Sequence, residues 1–225
     1  MNGASAAGWD AVFFDMDGTL IDSEPLAATL VKQLLDQRNL PAPPFPLSRF
    51  DGQTWASVEA ILAEHYPALA GLPLADRFER EFHDLLRREL PPAIPGAREA
   101  FTAAAQRCAV GIVSSSPRAT IQVVADSLGL SAQCRVIVGA EDVRHSKPHP
   151  EAYLLAAERA QVAPRKCLVF EDSEAGLQAA RAAGMTVVAI RGNRAEAVAA
   201  ALSQYAHTIV ASYADLPPDF LDRRG

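Results

Sequence analysis

Two aspartates stand one residue apart in the run Phe14-Asp15-Met16-Asp17-Gly18-Thr19-Leu20, directly after an apolar stretch that begins at Ala11. Side chains alternate along an extended backbone, so residues two apart share a side. Two carboxylates so placed at the end of a strand can bind a hard cation, or divide the roles of nucleophile and acid/base. Gly18 permits the tight turn that carries the chain away. Alone, these letters also describe a strand and an ordinary Asp-Gly turn. Three further segments have a similar character. Val169-Phe170 runs into Glu171-Asp172-Ser173, where Asp172 or Ser173 would alternatively N-cap the next helix. Gly111-Ile112-Val113 runs into Ser114-Ser115-Ser116, whose hydroxyl and N–H groups can cradle a phosphoryl group. Ser146-Lys147-Pro148-His149-Pro150 holds a lysine in a Pro-stiffened loop, although a lone exposed lysine usually serves solubility.

The elements that must position these groups alternate in kind. Short apolar runs predict strands at Ala11–Asp15, Ala109–Ser114, Arg135–Gly139, Cys167–Phe170, Thr186–Ile190 and His207–Val210. Their near-continuous apolar character fits a sheet covered on both faces. Helices are predicted between most of them, at Gly96–Arg107, Arg118–Leu128, Pro150–Gln161, Ser173–Ala183 and Arg194–Leu202, with Gly129 and Gly184 placed as C-cap glycines. Such alternation implies an α/β fold with a doubly wound, mostly parallel sheet, whose ligand site lies beyond the carboxyl ends of the strands. One segment breaks the rhythm. About eighty residues between the first strand and Gly96 read as helices at Pro25–Arg38, Trp55–His65 and Leu74–Leu90, punctuated by Pro-rich runs at Pro41–Pro46 and Pro91–Gly96. They predict a helical cap domain over residues 22–92, inserted into an α/β core of residues 1–21 and 93–225.

Composition bounds the partners. With 225 residues the chain can bury a sizeable core, and its formal net charge of −6 with no long basic run argues against nucleic acid or anionic membrane as a partner. Cys108, Cys134 and Cys167 are odd in number and far apart, which argues against a disulfide framework or a thiolate zinc site. No apolar run approaches the ~18 residues of a membrane span, and the first ten residues do not make a signal peptide. The expectation is a cytoplasmic monomer.

Four such elements in this order resemble the haloacid dehalogenase superfamily, in the subgroup of β-phosphoglucomutase and its phosphatase relatives. The resemblance spans about Ala11 to Leu216. It rests on Asp15-Met16-Asp17-Gly18-Thr19-Leu20, Ser114, Lys147 and Glu171-Asp172, with Asp22-Ser23-Glu24-Pro25 and the helical insertion adding to it. It implies a Rossmann-like core and a Mg²⁺-dependent hydrolysis of a small phosphorylated metabolite. In that reading Asp15 attacks phosphorus and Asp17 acts as general acid and then base. Ser114, Ser115 and Lys147 hold the phosphoryl oxygens. The metal ligands come from Asp15, Asp17 (through its carbonyl), Glu171 and Asp172, with Glu171 acting directly or through water. Arg49, Gly52, Trp55, Ser116 and Arg118 are candidate substrate contacts.

A sugar-phosphate mutase uses the same nucleophile, and the sequence departs from that pattern. Ala27 stands where the mutase has a His, Asp51 and Trp55 replace a Lys and an Arg around Gly52, and Pro117-Arg118 replaces a Lys-Asn pair. Asp51 would repel the second phosphate that a mutase must grip. These departures predict a hydrolase. His145 and His149 flank Lys147 without an acidic neighbour at ligand spacing, and so read as loop residues.

Overall fold

The computed structural model describes residues 8–50, 54–192 and 202–222. Six strands form one sheet: β1 (Ala11–Phe14), β2 (Ala109–Val113), β3 (Val136–Val138), β4 (Cys167–Glu171), β5 (Thr186–Ile190) and β6 (Thr208–Val210). Their order is β3-β2-β1-β4-β5-β6 and every pairing is parallel. In chain order the helices are α1 (Glu24–Gln37), α2 (Trp55–His65), α3 (Leu74–Arg88), α4 (Ala97–Ala105), α5 (Arg118–Ser127), α6 (Glu151–Ala160) and α7 (Glu174–Ala182). The predicted helix Arg194–Leu202 lies almost entirely outside the described residues.

The chain divides into two compact units, Met1–Ile21 with Ala93–Gly225, and Asp22–Pro92. The first holds the sheet, whose central strands are buried on both faces because they consist mainly of Ala, Val, Ile, Leu and Phe. Phe13, Val169 and Val187 face one layer with Tyr153, Ala156, Leu177 and Ala180 of α6 and α7. On the other, Phe14 stacks on Phe170 at 5.0 Å and meets Phe101 of α4 at 4.9 Å. Both glycine caps are formed: Gly129 (φ +69°) and Gly184 (φ +78°) are left-handed. Leu130 N–H then reaches Ala125 O, and Met185 N–H reaches Ala180 O, closing two helix ends.

In the Asp22–Pro92 unit, α3 places Leu74, Phe78, Phe82 and Leu86 at four-residue intervals, all buried, and turns its charged residues outward. Thr54 caps α2 by accepting from Ser57 N–H at 3.2 Å.

Strand ends differ from the expected ones by a residue or two. β1 stops at Phe14 and β2 at Val113, because the chain then turns away; yet Asp15 N–H still donates to Phe170 O at 2.9 Å and Ser114 N–H to Val138 O at 3.0 Å. β4 instead runs on to Glu171, which pairs with Ala189 of β5. The register Phe14↔Ile112 and Phe14↔Phe170 thus carries Asp15 and Glu171 to the same sheet edge, one residue beyond the paired positions on β1 and β4. Among the described residues no helix is long and apolar enough to cross a membrane.

Gly111 allows β2 and β3 to approach, since a Cβ there would stand 2.6 Å from Val136 O and 2.8 Å from Val136 Cβ. Gly111→Ala is expected to cost about 1–3 kcal/mol through overpacking. A thermal melt should show a drop of several degrees, and an unchanged midpoint would show that the sheet absorbs the methyl.

Candidate active site

The carboxyl edge of the sheet gathers Asp15, Asp17, Ser114, Ser116, Lys147, Glu171 and Asp172. Asp15 is buried, and its Oδ1 accepts from Lys147 Nζ at 2.6 Å. The same ammonium donates to Glu171 Oε1 at 2.6 Å and to Val113 O at 3.1 Å, so its three N–H bonds all have protein acceptors. Its side chain is only 7% exposed. The Tyr153 ring of α6 lies under the ammonium, 5.1 Å from centroid to Nζ, and Tyr153 Oη donates to Glu171 Oε1 at 3.0 Å.

Glu171 is fully enclosed, and both its oxygens are engaged. Oε1 takes Lys147 and Tyr153, while Oε2 takes the N–H groups of Asp172 and Ser173 and the Ser173 hydroxyl, each at 3.0 Å. Ser173 also caps α7 through Gly176 N–H. Burial alone would raise the Glu171 pKa, but Lys147 and these donors hold it below the usual carboxylate value. Asp15 is pushed the other way. Burial and then the Glu171 charge raise its pKa well above normal, against the opposing pull of Lys147, with Asp172 and Asp17 adding to the rise. The difference follows from the donors: Glu171 has five, whereas a single donor is found on the Asp15 side chain among the described residues. Burial would lower the Lys147 pKa, but Asp15 and Glu171 together hold it well above normal.

Local chain geometry explains why these groups sit so close. After Asp15 the chain folds into a tight turn, with Leu20 N–H and Ile21 N–H both on Met16 O and Gly18 N–H on Ile21 O. Gly18 is left-handed at φ +70°, and a Cβ there would fall 2.1 Å from Asp172 Oδ2. A Cβ on Gly176 would fall 1.7 Å from Glu171 Oε1. Both carboxylates therefore rest against glycine α-carbons.

Asp17 meets Ser116, whose hydroxyl donates to Asp17 Oδ2 at 3.2 Å, and Ser116 N–H in turn donates to Ser114 Oγ at 3.0 Å. Ser115 is exposed beside them. One ligand oxygen each from Asp15, Glu171 and Asp172 lie within 4.8 Å of one another, all three residues buried. This all-oxygen donor set fits a hard divalent cation. Since the Glu171 oxygens already carry five protein bonds, the oxygens best placed to ligate directly belong to Asp15 and Asp172, with Glu171 holding the frame.

Other expected contacts have partners of their own. Arg118 Nη1 donates to Asp142 Oδ1 at 3.1 Å and Arg118 N–H to Glu141, so this guanidinium is tied to the segment after β3. Arg49 lies over the Phe45 ring at 4.7 Å, and Trp55 stacks on Phe78 at 5.3 Å, both within the Asp22–Pro92 unit. Trp55 is thereby part of that unit's packing. Gly52 lies outside the described residues. His145 and His149 do have an acidic neighbour, contrary to the sequence reading, because Glu151 at the start of α6 turns back towards both. Sequence reasoning also missed Tyr153 and Tyr213. The Tyr213 hydroxyl donates to Thr19 O at 3.2 Å beneath the Asp15 turn. Neither stands in a pattern that marks it, and only the fold shows its hydroxyl to be directed inward.

The haloacid dehalogenase-like hydrolase family model matches residues 9–184. A phosphoglycolate phosphatase of Xanthomonas campestris pv. campestris is 34% identical over 184 residues, covering 80% of this chain and 81% of its own. The fructose-1-phosphate phosphatase YqaB of Escherichia coli is 34% identical over 182 residues, covering 80% and 95%. Among solved structures, a haloacid dehalogenase-like protein of Agrobacterium tumefaciens has a TM-score of 0.76 at 28% identity, covering 91% of this chain and 94% of that one. A family hydrolase of Deinococcus radiodurans, solved with phosphate and sodium, has a TM-score of 0.73 at 31% identity and covers 93% of both chains.

Removing the shared ammonium leaves two buried carboxylates facing each other. Lys147→Met is expected to destabilise the fold by about 3–5 kcal/mol in urea unfolding. Adding Glu171→Gln should recover roughly 1 kcal/mol or more, since one of the two stranded charges is then gone. Strictly additive losses would mean that the two groups are not coupled.

Proposed function

The chain belongs to the haloacid dehalogenase-like hydrolases, and from that premise we propose that it is a Mg²⁺-dependent phosphatase of small phosphate monoesters, sugar phosphates above all. One observation carries the reading. Asp15 is buried at the end of the central strand with Lys147 on Oδ1, while Oδ2 has no hydrogen bond among the described residues, and a second carboxylate, Asp17, stands two residues on. The phosphatase relatives act on phosphoglycolate and fructose 1-phosphate by name, which is the same class of small ester.

In this mechanism the Asp15 carboxylate attacks phosphorus, forming an O–P bond as the ester O–P bond breaks. Asp17 gives its proton to the departing alkoxide oxygen. The Asp17 carboxylate then takes a proton from water, whose oxygen displaces Asp15 and releases inorganic phosphate. Ser116, bonded to Asp17 Oδ2, holds the acid/base in place between the half-reactions. The Ser114 hydroxyl and the Ser115 N–H receive phosphoryl oxygens. Lys147 keeps Asp15 and Glu171 together and offsets their charge. Asp15 and Asp172, with the Asp17 carbonyl, would hold Mg²⁺, which when bound shields the two anions and polarises the phosphoryl group.

The hydrolase reading gains further support over a mutase from Arg118. A mutase must hold a second, non-transferring phosphate, and the arginine nearest the mutase pattern already donates to Asp142. The test is a screen of phosphorylated sugars and small acids with Mg²⁺, reading released phosphate. Asp15→Asn is expected to lower kcat by on the order of a thousandfold or more, and EDTA to silence the enzyme until Mg²⁺ is restored. An Asp15→Asn variant that keeps a tenth of the activity would exclude covalent catalysis there. With β-glucose 1-phosphate and a trace of the 1,6-bisphosphate, phosphate release should outpace glucose 6-phosphate formation; the reverse would make the chain a mutase.

A further inference from the structure

A second group of metal-ligating side chains meets on the loop that carries Lys147. His145 Nδ1 lies 2.8 Å from Glu151 Oε2, and His149 Nδ1 lies 3.8 Å from the same oxygen. The two imidazole rings face each other with centroids 4.6 Å apart. One ligand atom from each of the three residues lies within 4.8 Å of the others. Donors that share an ion at about 2.0–2.2 Å stand roughly 3–3.5 Å from each other, so the distances present already bracket the required ones. The side chains of His145 and His149 are 64% and 51% exposed, leaving the rings room to rotate and solvent access to the ion.

The loop is shaped for this before any ion arrives. The Glu151 carboxylate accepts from Arg144 N–H at 2.9 Å and His145 N–H at 3.1 Å, and Glu151 N–H reaches His149 Nδ1 at 3.3 Å. His145 is thus held against the Glu151 carboxylate and His149 against the Glu151 backbone N–H, so the loop already brings all three residues together and little chain ordering remains to be done on binding. The sequence spacing hides the group, because Glu151 belongs to the first turn of α6 and only the turn at Pro148–Pro150 brings it back to His145.

We propose that His145, His149 and Glu151 form a binding site for a divalent transition ion of the zinc or nickel class, separate from the oxygen cluster. Two imidazole nitrogens favour borderline ions over Mg²⁺, whose preference is for oxygen. Three protein donors leave at least one position for water. The ligands lie on both sides of Lys147 in the chain, so an ion held by them ties the loop at each flank of the lysine that joins Asp15 to Glu171. The site gives the loop a brace that magnesium does not supply.

The test is a calorimetric titration of the untagged chain with Zn²⁺ in millimolar Mg²⁺, backed by the visible spectrum of Co²⁺ at the same site. One equivalent of Zn²⁺ is expected to bind, with a rise in melting temperature. His145→Ala/His149→Ala should weaken that equivalent at least about tenfold and lose the Co²⁺ band and the thermal shift, while keeping Mg²⁺-supported turnover. Asp172→Asn, which damages the oxygen cluster, should keep the Zn²⁺ equivalent. Zn²⁺ binding that survives in the histidine variant and disappears in Asp172→Asn would assign the ion to the oxygen cluster and overturn the proposal, as would the absence of any bound equivalent.

Discussion

A buried ammonium shared by two buried carboxylates sets the terms for the rest of the core unit. Lys147 Nζ lies 2.6 Å from both Asp15 Oδ1 and Glu171 Oε1, and neither carboxylate has appreciable access to water. Removing such charges from water costs several kcal/mol per ion, and attraction offsets that only with good geometry and satisfied hydrogen bonds. Each architectural feature nearby meets part of this condition. Parallel pairing of β1 with β4 sets Asp15 beside Glu171. The segment before α6 delivers the lysine, Tyr153 supplies both a ring beneath it and a hydroxyl for Glu171, and the start of α7 supplies two N–H groups and a serine.

The same condition explains the glycines. Packing four carboxylates into one strand edge leaves no volume for side chains behind them. Gly18 gives way to Asp172 and Gly176 to Glu171, at distances where only a hydrogen fits. A methyl at Gly176 would have to displace Glu171 from its five donors, and Lys147 would then lose one of its two anionic partners. The glycine is therefore tied to the charge arrangement although it carries no functional group.

Much of this was legible in the sequence, for a physical reason. Strand-end carboxylates, the serine run and the lysine loop are local patterns, and a parallel sheet converts local position at a strand end into common position at one edge. Asp15, Asp17, Ser114, Lys147, Glu171 and Asp172 could therefore be picked from four such patterns in order together with the family resemblance they carry. What spacing does not encode is which lone pair meets which donor. That Glu171 has its oxygens filled by protein groups, that Arg118 turns to Asp142, and that Trp55 stacks on Phe78 are outcomes of side-chain packing. Tyr153 and Glu151 were missed for a related reason. On α6 they are ordinary helix residues until the preceding loop folds back over the first turn.

The balance of charge has one further consequence. Asp15, Asp17, Glu171 and Asp172 bring four acidic groups to one site, and Lys147 is bonded to two of them, Asp15 and Glu171. Glu171 stays ionised because its donors stabilise the anion. Asp15 is pushed the other way, first by burial and then by the Glu171 charge, with one donor among the described residues to oppose them. A cation among these carboxylates and a proton on one of them would each relieve the same mutual repulsion, so binding one opposes the other. The two carboxylates joined by Lys147 are therefore held unequally. Five donors fix Glu171, whereas Asp15 has one among the described residues, which leaves it the oxygen that the proposed chemistry needs.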